Sequence, residues 1–187
     1  MQMSNRRSII FGLLLADLFS DGCSQVRDAE LKLMGDSHKA WTMRLQAAIA
    51  DGNIEGVRTA LSKGADINGR TLPGITAELT PLMLAAQMGR TDIVKLLLSA
   101  GADPNLQVPV SKVTALVMAI DNRHRDAAIA LLDGGADPNT ELFGGITALN
   151  TALTYRDREV VQALLQKGAR PSGNQEDQIK RLLQARN

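Results

Sequence analysis

One phrase recurs along this chain and constrains its fold more than any other feature. It reads Gly64-Ala65-Asp66-Ile67-Asn68, then Gly101-Ala102-Asp103-Pro104-Asn105, then Gly135-Ala136-Asp137-Pro138-Asn139, with a worn fourth copy at Gly168-Ala169-Arg170-Pro171-Ser172. The four glycines lie 37, 34 and 33 positions apart. A period near 33 residues implies stacked helical units, none of which buries its apolar face alone.

The unit beginning at Thr80 shows why. Thr80 is a good N-cap, and Pro81 takes the first helical position, where its missing N–H costs nothing. Leu82, Ala85 and Ala86 then recur at helical spacing and predict a short helix with a narrow apolar face. Gly89 ends it, because glycine enters the left-handed region without penalty. Ile93, Val94, Leu96 and Leu97 form the buried side of a second helix, which Gly101 ends before Asp103-Pro104-Asn105 turns the chain out of the helix layer.

Thr80-Pro81-Leu82, Ala85-Ala86, Gly89, Ile93-Val94, Leu96-Leu97 and Gly101-Ala102-Asp103 with Asn105 together resemble an ankyrin repeat over its full length. Thr114-Ala115-Leu116 through Asn139 and Thr147-Ala148-Leu149 through Ser172 are further copies, and an earlier unit runs from Met43 through Asn68. The resemblance covers Trp41 to Ser172. It implies an all-α ankyrin repeat solenoid of four helix-turn-helix units with short hairpin loops, closed by a C-terminal capping helix. That helix is expected over Gln175–Gln184, with Ile179, Leu182 and Leu183 turned inward. The family's histidine after Thr-Pro-Leu is replaced by Gln46, Met83, Val117 and Asn150, so the hydrogen-bond network it builds is missing or replaced. Arg123 and Arg156 stand where glycine ends the first helix, at a cost of about 1 kcal/mol for a left-handed residue with a side chain.

The first residues read as an address. Arg6-Arg7 precede an apolar run from Ser8 to Ala16, and Ser20-Asp21-Gly22-Cys23 follows. Charge, a short apolar stretch and small residues describe a secretory signal peptide over 1–22. Cys23 resembles the lipidation site of bacterial lipoproteins; Ser20 and Gly22 equally suit an ordinary signal peptidase, which leaves Cys23 as the first mature residue. The expected organisation is signal peptide 1–22, tether and N-terminal cap 23–40, repeats 41–173 and capping helix 174–187. The expected location is the periplasmic face of the cell envelope, lipid-anchored to the outer membrane or soluble in the periplasm.

Composition and motifs exclude other classes. A formal net charge of +1 gives no basic stripe for nucleic acid, and 3% aromatic residues leave few platforms for stacking bases. There is no Gly-x-Ser-x-Gly elbow, His-Glu-x-x-His pair, phosphate loop or paired-cysteine site, so no enzyme, cofactor or metal is expected. Arg123-His124-Arg125-Asp126 reads as a solvated turn.

What the resemblance implies is another protein as partner, held by the inner side of the first helices and by the loop tips. By register the inner positions include Leu84, Met88, Met118, Asp121, Asn122 and Tyr155; the tips contribute Leu72, Ile75, Val108, Val110, Leu142 and Phe143. Apolar residues on projecting tips point to an interface, and Phe143 is the expected hot spot. Two roles fit: an immunity or inhibitor protein against a toxin or envelope enzyme, and an accessory protein that stabilises or localises an envelope enzyme, for example in oxidative-stress defence.

Overall fold

The computed structural model describes residues 38–70, 78–173 and 175–184. Within them the chain is helical throughout, with turns and loops between the helices. Four antiparallel pairs follow one another: α1 His38–Ala50 with α2 Ile54–Ser62, α3 Pro81–Gln87 with α4 Thr91–Ser99, α5 Ala115–Asp121 with α6 Arg125–Asp133, and α7 Ala148–Thr154 with α8 Arg158–Gln166. A last helix, α9, spans Gln175–Gln184. No helix among the described residues is long and apolar enough to cross a membrane.

The pairs stack in two layers. First helices α1, α3, α5 and α7 touch in order, and so do second helices α2, α4, α6 and α8. Small residues allow the close approach: Ala85, Ala86, Ala119 and Ala152 are buried on the first helices, while Leu97, Leu131 and Leu164 fill the second layer. One apolar cluster runs from Leu45 to Ile179, so each unit depends on its neighbours for burial.

Local chemistry fixes where each helix begins and ends. Thr80 Oγ1 accepts from the Met83 amide at 3.3 Å and Thr114 Oγ1 from Val117 at 3.4 Å. In the last pair Asn150 stands in for the absent histidine: its Oδ1 accepts from the Thr147 amide at 2.9 Å and from the Thr147 hydroxyl at 2.8 Å. The first helices end at Gly52, Gly89, Arg123 and Arg156, all with positive φ, and the two arginines adopt 61° and 55°.

The repeated phrase is a cross-unit staple. Its aspartate closes its own turn: Asp66, Asp103 and Asp137 each accept from the amide of the asparagine two residues on, at 2.8–3.0 Å. Its asparagine reaches the next unit. Asn68 Oδ1 accepts from Asp103 N (3.0 Å), Asn105 Oδ1 from Asp137 N (2.8 Å) and Asn139 Oδ1 from Arg170 N (2.8 Å). Asn105 Nδ2 and Asn139 Nδ2 also donate to Gly135 O and Gly168 O.

At the two ends other residues finish the ladder. In α1, Thr42 Oγ1 accepts from Asp66 N at 2.9 Å and His38 Nδ1 donates to Gly64 O at 2.7 Å, which are the two bonds an earlier asparagine would make. At the far end Ser172 stands in the asparagine's place, and its amide donates to Gln175 Oε1 at 2.7 Å.

Candidate functional site

The described ends of the loop after Asn68 are tied to the loop after Asn105, and that loop to the one after Asn139. Arg70 donates to Glu78 O at 3.0 Å and to Gln107 O at 2.9 Å, bridging the first two loops. The second loop closes through Val108 N–H to Val113 O and Lys112 N–H to Val108 O, both 2.9 Å. The third closes through Leu142 N–H to Ile146 O at 2.8 Å, with Gly144 and Gly145 supplying the two positive-φ residues of its tip. Phe143 N–H then donates to Ser111 O at 3.2 Å and sets the second and third tips side by side.

That bond decides what the tips present. Val110 is 86% exposed, Phe143 80% and Ile146 49%, and these are the exposed large apolar side chains of the described residues. Three such side chains on adjoining loop tips form an apolar ridge, the composition that marks a contact surface. Ile146 was not anticipated from the sequence, because its position beside Thr147 reads as the entry to α7. Leu142 is half-buried against the core and supports the ridge from beneath.

Two expected contact residues are core instead. Leu84 is 4% exposed, since the α1–α3–α5 layer closes over that side of α3. Val108 is 5% exposed, because its loop folds back on itself and turns the side chain into the cluster. Neither is available to a partner. Leu72, Ile75 and Cys23 lie outside the described residues.

The remaining inner positions form a row across three units. Met88 and Met118 are half-buried against the core, and Asp121 and Asn122 are exposed. Tyr155 crosses from the fourth unit to the third: its hydroxyl donates to Asp121 Oδ1 at 2.6 Å, and the Arg123 guanidinium lies 4.8 Å from its ring centre. The hydrogen bond to Asp121 holds the phenol above its usual pKa, with partial desolvation and the carboxylate's charge acting in the same direction. Asn122 Nδ2 is occupied by Met118 O at 2.8 Å.

The charged turn at 123–126 is exposed at Arg123, Arg125 and Asp126, as a solvated turn should be, and it also joins neighbouring units. His124 Nε2 meets Gln87 O at 3.1 Å, and its imidazole packs where a Cβ on Gly89 would collide with it. Arg125 pairs with Asp157 at 3.2 Å and Glu159 at 2.9 Å, and the hydrogen bond to Asp157 raises its pKa further. The signal was periodic: Arg90 holds the same register and donates to Ala50 O at 3.2 Å.

Among the described residues no group of three His, Cys, Asp or Glu could hold a metal, and every buried side-chain nitrogen or oxygen has a partner. The arrangement is an apolar ridge flanked by a mixed polar and methionine row.

Comparison with known proteins agrees with this geometry. A family model described as ankyrin repeats (3 copies) matches residues 25–108, 45–142 and 82–175. A 69-residue stretch is 44% identical to the mitochondrial disaggregase of Bos taurus, covering 37% of this chain and 10% of that protein. The human mitochondrial disaggregase is 45% identical over 69 residues, 37% of this chain and 9% of that protein. The 2-5A-dependent ribonuclease of Mus musculus is 48% identical over 58 residues, 31% of this chain and 8% of that protein. The chain therefore spans about a tenth of the length of the curated relatives it matches.

Proposed function

The chain belongs to the ankyrin-repeat family, a protein–protein interaction module and generally a non-enzymatic scaffold, and from that premise we propose that its loop-tip ridge and inner row hold one protein in the bacterial cell envelope. The observation that carries the reading is the pairing of Val110 and Phe143, both largely exposed and locked together through Phe143 N–H and Ser111 O. Placing apolar side chains on a preorganised edge lowers the ordering cost of binding, which is how a small interface gains affinity.

In the concrete form of this proposal the protein is an immunity or inhibitor protein. Its ridge covers the active surface of a secreted toxin or envelope enzyme, and Met88, Met118 and Tyr155 adapt to the flank of that partner. The leader over 1–22 exports it, and Cys23 carries the lipid anchor. A cell that makes the partner then needs this protein to survive. Depletion in the presence and absence of the partner tests the role: toxicity only when the partner is present supports inhibition, whereas loss of the partner's own activity assigns the accessory role instead. Radiolabelled palmitate tests the anchor. Incorporation that disappears in Cys23→Ala supports it, and incorporation that persists sinks it.

A further inference from the structure

The last joint of the stack differs from those before it. Between the third and fourth units Tyr155 fills the inner side, under Arg123 and against Asp121. At the next joint α9 packs chiefly on α8, and a groove of about 320 Å³ stays open beside α7. Leu153, Thr154, Arg156, Gln178, Arg181 and Leu182 line it. Leu153 and Leu182 are half-buried against the core and supply its apolar part. The volume lies at the lower end of ligand-pocket sizes, about 300–1,000 Å³.

Its charge is one-sided. Among the described residues no carboxylate lines the groove, and neither Arg156 nor Arg181 makes an ion pair. Arg156 also holds φ 55°, a conformation that favours glycine. Arg123, its counterpart one unit earlier, has the same strain and spends its guanidinium on Tyr155. Among the described residues Arg156 has no such ring to cover. Strained residues persist where a site over-determines them, and this one borders an open cavity.

We propose that this groove binds an acidic segment of a partner protein, with its carboxylate taken by Arg156 and Arg181 and an adjacent aliphatic side chain seated on Leu153 and Leu182. Guanidinium groups suit this pairing because their forked donors match a carboxylate. The leucines favour a peptide over a membrane surface, since a headgroup layer brings charge without a side chain to fill the apolar part. The proposal rests on the protein-binding reading and adds a second contact, lined by residues other than those of the loop-tip ridge.

The test is a titration of the isotope-labelled full chain, followed by backbone amide shifts, with the peptide acetyl-Leu-Glu-Glu-Leu-amide and its Gln-Gln analogue. The glutamate peptide should saturate shifts at residues 153–156 and 178–182, and at least tenfold more weakly in Arg156→Gly plus Arg181→Gln. That variant leaves the core intact, and Arg156→Gly relieves strain, so a folding failure does not confuse the result. Phe143→Ala should bind the peptide normally, which separates this site from the ridge. Equal binding of the Gln-Gln peptide, or no saturable shift in the groove, overturns the proposal. So do matching shifts from phosphatidylglycerol vesicles when the glutamate peptide gives none.

Discussion

Arg123 and Arg156 occupy one register and bear one strain, yet among the described residues only Arg123 covers an aromatic ring, that of Tyr155, whose centre lies 4.8 Å away. Arg156→Gly should therefore raise unfolding free energy by about 1 kcal/mol. Arg123→Gly should change it far less, because the cation–π contact it loses is worth about 0.5–1 kcal/mol at an exposed site. Urea unfolding of both variants checks the difference. Tyr155 offers a cleaner probe, being the one tyrosine of the chain. Its phenol is stabilised in the protonated form, so the Asp121 bond contributes fully below the ordinary tyrosine value and is lost as pH rises through the raised one. Absorbance titration near 295 nm should place the midpoint above about 10, and Asp121→Ala should return it to the ordinary range. The arginine substitutions were legible in the sequence as strain. The Tyr155–Asp121 bond was not, because residues 34 positions apart meet only after the units stack.

At the scale of the element, the Gly-Ala-Asp-x-Asn turn does more than end a helix. Asn105 makes two bonds to the next unit, to Asp137 N and Gly135 O. Asn105→Ala should cost about 1–3 kcal/mol by leaving backbone groups without their partner. Chemical unfolding measures the loss, and amide exchange should quicken first at Asp137. Gly89→Ala should be severe for two reasons: φ is 65° there and the new Cβ meets His124. In a double-mutant cycle, His124→Ala should recover the steric part and leave the backbone part. The turns, helix starts and α9 were legible because capping and glycine chemistry act within a few residues. Burial at Leu84 and Val108 was not, since it is decided by neighbouring units and by a loop folding back. Neither was the role of His38 and Thr42, which replace a missing asparagine through geometry that no local pattern announces.

As a whole molecule the stack joins a continuous core to an edge that leaves apolar groups in solvent. The core makes the described units interdependent, so Trp41 fluorescence, which reports the first pair, should follow the same urea transition as far-ultraviolet circular dichroism. A separate early fluorescence transition would show the first unit unfolding alone. The architecture was almost entirely readable from the period and the repeated phrase. The contact surface was readable only in part: Val110 and Phe143 stand out on projecting loops, while Ile146 emerged once the loops were paired. The central claim is that this ridge binds the partner. Its most direct test is the dissociation constant of the purified partner for the wild-type chain and for Val110→Asp plus Phe143→Ala, with both melting curves recorded. A loss of at least about 100-fold in affinity with an unchanged melt is the predicted result, since truncating a central aromatic anchor alone costs about 2–4 kcal/mol. Equal affinity in the two proteins would contradict it.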